Sequence, residues 1–239
     1  MSHTVDMRDL LVSELNALRA DFITIGARVL SAVNVGTQAF LDADLAATEA
    51  VIQEDTQIDA LCDDLEERAI QVMATQQPIA RDLRFLVVLL RSVHELERAG
   101  DLVCNIVKGG RRIYPRELDP RVRGVIAQMG NQAARQMELT IEAFAERDEN
   151  RAAALVDMDD TMDDLLKELL VLVFQGGAAD HNEVQEAVQV ALIGRYYERY
   201  ADHAVNVAER IQFWVTGNFH GHDQDSDPDQ SMGPVAASG

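Results

Sequence analysis

The sequence predicts an all-α protein made of two tandem antiparallel three-helix bundles related by an internal repeat, and three observations carry that expectation. Its prolines, Pro78, Pro115, Pro120, Pro228 and Pro234, leave very long stretches unbroken, as helices require. Aromatic residues are only 5% of a chain that is 47% hydrophobic, a composition that fits helices better than sheets and supplies a sizeable core. The halves also align with each other. Displacing the first by 104 positions puts Ile25-Gly26 on Met129-Gly130, Ala39-Phe40 on Ala143-Phe144 and Asp44 on Asp148. A displacement of 101 then puts Glu97-Arg98-x-x-Asp101-x-x-x-Asn105 on Glu198-Arg199-x-x-Asp202-x-x-x-Asn206.

Six amphipathic segments follow in order. The first is expected from about Met7 to Gly36 and the second from about Asp44 to Thr75, where Gln76-Gln77-Pro78 stops it. Pro78 suits the first turn of the third helix, where its missing N–H has no partner to lose, and Gly109-Gly110 suits that helix's end. Arg111 to Pro120 contains two prolines and reads as a linker. A fourth helix is expected from about Val122 to Glu146, and a fifth from about Arg151 to Gln175, closed by Gly176-Gly177. Asp180 followed by Glu183 has the spacing of a capping box, opening a sixth helix that continues to about Trp214. This places the first bundle in residues 1–110, the linker in 111–120 and the second bundle in 121–215. Residues 216–239 are rich in Gly, Asp, Ser and Pro, lack a periodic apolar face, and are expected to form a disordered acidic tail.

The formal net charge of −20 disfavours nucleic acid and anionic membrane surfaces as partners, because both are bound by clustered Lys and Arg. Most of the acid is read as solvated helix surface. The start shows no basic region leading into an apolar one, and the longest apolar runs, Phe85–Leu90 and Leu169–Phe174, are core-sized. A cytoplasmic protein without direct membrane insertion is expected. Cys62 and Cys104 are too few and too far apart for a disulfide framework, and read as buried thiols.

Each half carries two acidic pairs at i,i+4. Asp55 and Asp59 lie on the second helix and Glu97 and Asp101 on the third; Asp159 with Asp163 and Glu198 with Asp202 repeat them. Residues four apart stand almost above one another on a helix, so stacked carboxylates repel unless a cation sits between them. Two such pairs on facing helices supply the oxygens that Mg²⁺, Mn²⁺, Ca²⁺ or iron favour. Asn105 and Asn206 extend the stripe. The opposing reading is that Arg98 and Arg199 fold back onto the acids in metal-free ion-pair networks. His203, beside Asp202, either completes the second site or is an ordinary hydrogen-bonded histidine. His220-Gly221-His222-Asp223 with Asp225, Asp227 and Asp229 reads as solvated tail. No Gly-x-Ser-x-Gly elbow, Walker loop, His-Glu-x-x-His, Glu-x-x-His or helix-opening Gly-x-Gly-x-x-Gly occurs.

With tandem bundles and repeated Glu-x-x-x-Asp pairs, the chain closely resembles the PhoU family of phosphate-uptake regulators, from roughly Met7 to Trp214. Its most family-like stretches are Gln76-Gln77-Pro78-Ile79-Ala80-Arg81-Asp82-Leu83-Arg84, Glu97-Arg98-Ala99-Gly100-Asp101 and Glu198-Arg199-Tyr200-Ala201-Asp202. The second half departs from the first, having Ala178-Ala179-Asp180-His181-Asn182 in place of Gln-Gln-Pro, and the acidic tail is unusual for the family. The resemblance implies a cytoplasmic homodimer without catalytic activity. It also implies divalent or trivalent metal, with iron, manganese, magnesium or zinc as candidates, bound at Glu97, Asp101, Glu198 and Asp202 and at the matching acids Asp55, Asp59, Asp159 and Asp163. The implied partners are the ATPase of a phosphate ABC transporter and a phosphate-sensing histidine kinase, with repression of the starvation response in high phosphate. A metal-dependent hydrolase and a metal-free structural dimer are the alternatives the residues leave open.

Overall fold

The computed structural model describes residues 2–115, 118–175 and 181–217. Among these residues seven helices follow in order: α1 (Ser2–Leu41), α2 (Leu45–Gln76), α3 (Arg81–Ile113), α4 (Pro120–Glu146), α5 (Glu149–Asp157), α6 (Asp159–Gln175) and α7 (His181–Thr216). The first bundle is α1, α2 and α3. In the second, α4 and α7 are joined by α5 and α6, which in succession take the place that α2 holds in the first.

Local chemistry sets the helix ends. Asp44 caps α2 by accepting from the backbone N–H groups of Ala46 and Ala47 at 2.9 and 3.0 Å. Its repeat counterpart Asp148 does the same for Asn150 and Arg151 at the start of α5. Asp119 caps α4 at the Arg121 N–H, with Pro120 in the first turn. Each supplies an acceptor to N–H groups that a helix start leaves without intrahelical partners. The chain leaves α2 at Gln77 and α4 at Arg147 in the left-handed region, with φ of 47° and 57°.

Several boundaries differ from the sequence expectation. α1 extends past Met7 and Gly36 at its two ends, and α3 starts at Arg81 rather than Pro78 and runs through Gly109 and Gly110 to Ile113. Those glycines thin the helix for its neighbours instead of ending it. A Cβ on Gly109 would lie 2.9 Å from Ile193, and one on Gly110 2.6 Å from the Phe40 ring. The expected single fifth helix is broken at Met158. There the Met158 N–H bonds Leu155 O at 3.1 Å in a tightened turn, and Gln132 Nε2 donates to Met158 O at 3.2 Å. The break falls in Asp157–Asp164, a stretch with five aspartates, a residue type that favours turns and caps over helix interiors. Gly176-Gly177, Asp180 of the expected capping box and residues 218–239 lie outside the described residues.

The two bundles share one continuous core. α3 runs along α7 and α1 along α4, which leaves α2 and α5–α6 on the outside. The joint is pseudo-symmetric: a Cβ on Gly26 would meet Ile141 at 2.8 Å, and one on Gly130 would meet Thr37 at 2.4 Å. Adding 104 to 26 and 37 gives 130 and 141, so the repeat exchanges the two contacts, as in an interface between identical subunits. Fully buried Tyr197 and Tyr200 fill the joint. The Tyr197 hydroxyl meets that of Thr37 at 2.8 Å, and Tyr200 donates to Val29 O at 3.5 Å. At one end Phe22 packs on Phe144 with centroids 4.0 Å apart, and Trp214 joins Phe144 to Phe85.

Candidate functional site

The outer helices bring the predicted acids against the inner ones. In the first half, Asp55 and Asp59 on α2 lie within electrostatic reach of Glu97 and Asp101 on α3. Asp55 Oδ1 is buried with no hydrogen-bond partner. It sits where a side chain on Gly100 would be, 2.8 Å from an ideal Cβ. Burial raises the Asp55 carboxyl above its usual range; the Cys104 thiol pulls it down and Asp101 pushes it up again. Burial, then the charges of Asp55, Asp101 and Glu97, push Asp59 up to about 6. His94 Nδ1 meets Glu97 at 3.3 Å, and Arg98 stands 3.7 Å from Asp101, one turn of the predicted ion-pair alternative. Burial pushes both thiols, Cys62 and Cys104, up to about 12, so neither is a thiolate at neutral pH.

In the second half Glu198 on α7 is buried, its Oε2 has no partner, and Arg195 bonds its Oε1. Arg195 occupies the position of His94, 101 residues earlier. Burial raises Glu198, with Asp202 adding to it, and burial likewise raises Asp202; Asp163 on α6 contributes to both. Asp159 begins α6, and its side chain lies outside the described residues. The donors are all oxygen, as hard cations prefer, and two buried carboxylate oxygens lack partners. Among the described residues, however, no group of three or more His, Cys, Asp or Glu side chains is arranged to hold a metal ion. The carboxylates match the group chemically without forming a finished cage.

Asn206, expected to extend the second stripe, belongs elsewhere, and His203 takes the second of its two readings, that of a hydrogen-bonded histidine. Asn206 donates to Glu95 Oε2 at 3.1 Å and His203 Nδ1 meets the same oxygen at 2.6 Å, while Arg210 bonds Oε1 at 2.6 Å. Glu95 lies on α3, so these α7 side chains join the bundles rather than extend the acidic stripe. The Glu95 carboxyl is buried, which by itself raises it, yet the bonds from His203, Arg210 and Asn206 hold it down at about 2. The sequence carried a signal for this group. Glu95 stands in the stripe Val88, Ser92, Glu95, Ala99, Leu102, where an acid needs partners, and His203, Asn206 and Arg210 share one face of α7.

Tandem helical bundles with an all-oxygen acidic pair on each facing helix define the class: a duplicated, acid-lined helical scaffold. The model of the PhoU domain matches residues 22–109 and 126–211, one segment in each half, and the chain belongs to the PhoU family. It is 37% identical over 187 residues to "Phosphate-specific transport system accessory protein PhoU homolog 1" of Mycobacterium tuberculosis, covering 78% of this chain and 84% of that protein. To homolog 2 of the same organism it is 38% identical over 189 residues, covering 79% and 88%. The crystal structure of PhoU from Pseudomonas aeruginosa superposes with a TM-score of 0.81 at 27% identity, over 86% of this chain and 99% of that one. Among the described residues no helix is long and apolar enough to cross a membrane.

Proposed function

We propose that this protein is a non-enzymatic accessory of phosphate uptake that represses the phosphate-starvation response when phosphate is plentiful. The observation that carries this reading is the family match in both halves, in register with the internal repeat, together with relatives named as accessories of phosphate-specific transport. In this reading the protein works in the cytoplasm as a homodimer. It contacts the ATPase of the phosphate transporter and a phosphate-sensing histidine kinase. A surface suited to such contacts exists on the second bundle, where Val171 and Phe174 on α6 and Val184, Val188 and Leu192 on α7 are exposed.

The acidic pairs serve as cation sites. Asp55, Asp59, Glu97 and Asp101 would hold one group of cations and Asp163, Glu198 and Asp202, with Asp159, a second; a bound hard cation supplies the charge that lets stacked carboxylates approach. Binding then draws α2 to α3 and α6 to α7. The metal-free reading is favoured by the Arg195–Glu198 and Arg98–Asp101 pairs. Elemental analysis of purified protein, before and after changing Glu97, Asp101, Glu198 and Asp202 to Ala, separates the two: bound metal lost in the variant supports the cation sites, and unchanged content removes them. Affinity capture from cells grown in high phosphate tests the partners. Recovery of the transporter ATPase or the kinase supports the adaptor role, and recovery of neither contradicts it.

A further inference from the structure

A cleft of about 460 Å³ opens where α1, the turn from α2 to α3, the turn from α4 to α5 and the end of α7 meet. Its walls carry Arg8, Arg19, Arg81 and Arg147 against a single acid, Asp82. In a chain with a net charge of −20 that is a local reversal of sign. Arg8 takes the acid, binding Asp82 at 2.7 Å. Among the described residues Arg19, Arg81 and Arg147 form no ion pair with a carboxylate, and the Nε atoms of Arg19 and Arg147 are buried without a hydrogen-bond partner. Burial lowers both guanidiniums from their ordinary value, and the charges of Arg19 and Arg81 lower Arg147 further. Asp82 offsets Arg147 only in part, and partly buried guanidiniums with unpartnered Nε atoms beside like charge are better satisfied by an anion. The backbone beside Arg81 is strained as well. Ala80 has φ 45° and ψ −108°, a region that side-chain-bearing residues rarely enter, whereas the φ of 57° at Arg147 is a helix exit that its counterpart Ala43 shares at 53°.

The internal repeat supplies a control. Adding 104 to Arg19 gives Arg123, to Asp42 gives Glu146, and to Ala43 gives Arg147. Arg123 is satisfied within the chain, donating to Leu41 O and pairing with Asp42 at 2.9 Å. Glu146, the counterpart of Asp42, pairs instead with Arg151 at 3.1 Å, which leaves Arg19 without an acid. A second arginine, Arg147, then stands where the other half has alanine. The scaffold therefore does not need the unpaired cations, because its other copy does without them.

We propose that Arg19, Arg81 and Arg147 form a binding site for a phosphate or phosphoryl oxyanion in this cleft. Guanidinium forks match the tetrahedral oxyanion, which accepts several charge-assisted hydrogen bonds at once. The Arg147 guanidinium lies over the Trp214 ring at 4.9 Å, and that stacking fixes its plane. The stretch Gln76–Arg84 acquires a purpose: the strained turn at Ala80 delivers Arg81 to the cleft. The site follows from charge and geometry alone, so its failure would leave the proposed transport role untouched.

The test uses the full-length protein freed of metal by chelation, at constant ionic strength set with chloride. Equilibrium dialysis against radiolabelled inorganic phosphate measures binding, and the fluorescence of Trp214, the only tryptophan, reports it independently. Saturable binding is expected, weakened by about tenfold or more in Arg19→Gln/Arg147→Gln and unaffected by Arg123→Gln in the counterpart pocket. With phosphate the parent's melting temperature rises and the double variant's does not, whatever the variant loses from the Arg147–Trp214 stacking. If the double variant fails to fold, Arg81→Gln, on an exposed residue, carries the same loss of binding. Displacement of labelled phosphate by a phosphomonoester at lower concentration than by inorganic phosphate assigns the site to a phosphorylated ligand, and the reverse order assigns it to phosphate itself. No saturable binding above the chloride control, or equal binding in the arginine variants, overturns the site.

Discussion

Glu95 shows how one buried acid is made tolerable. Its two oxygens take His203, Asn206 and Arg210 across the joint between bundles, so removing it strands a half-buried arginine and breaks the contact from both sides. Glu95→Ala is expected to destabilise the protein by about 3 kcal/mol in urea unfolding at neutral pH. The pH dependence follows from its lowered pKa. Held at about 2 against an ordinary 4.5, the carboxyl contributes its full stabilisation above about pH 4.5 and loses it as pH falls toward 2. Asp59 behaves oppositely. With its carboxyl at about 6 against an ordinary 3.8, the folded state holds its proton more tightly. The destabilisation is therefore fully present above pH 6, is relieved as pH falls from about 6 to 3.8, and is gone below 3.8. Asp59→Asn should accordingly raise the melting temperature at pH 7.5 in chelator while lowering bound metal. Metal affinity of the parent should weaken as pH falls through about 6, where protons compete for Asp59. A variant that retains its metal and loses stability would place Asp59 in an ordinary structural role.

At the scale of helices, the periodicity and the internal repeat made most elements readable, since each amphipathic segment had only one way to bury its stripe. The break at Met158 was not readable, because the apolar period continues through it and the aspartates that weaken the helix look like solvated surface. The acidic pairs were legible for the same reason as the helices, being periodic and duplicated. The Glu95 network was legible only in principle, as it needs knowledge of which faces of α3 and α7 meet. The arginine cleft was hidden further, since its residues come from positions 8–19, 79–85, 147 and 214. Glycines supply the test of close helix packing. Gly130→Ala would drive a Cβ to 2.4 Å from Thr37, whose hydroxyl is bound to Tyr197, and should destabilise by about 1–3 kcal/mol. Gly124→Ala, with nothing within 4 Å, should instead stabilise α4 by about 0.5–1 kcal/mol. Equal effects from the two in denaturant titrations would mean that α1 and α4 do not approach as closely as described.

Over the whole molecule, one core and one polar network bind two bundles that the repeat alone would allow to be separate. Trp214 touches aromatic rings from both halves, Phe85 and Phe144. Its fluorescence and far-ultraviolet circular dichroism should therefore report a single coincident unfolding transition; two resolved transitions would show independent bundles. A scaffold of this kind, with paired acids on its outer helices and exposed apolar residues on α6 and α7, suits the proposed role of a protein that registers the state of a transporter by touching it. The most direct measurement is starvation-gene expression in high phosphate after deletion of this gene in a host with intact uptake genes. Constitutive expression, restored to repression by the intact gene, is the predicted result. Expression that stays repressed in the deletion strain would contradict the regulatory account.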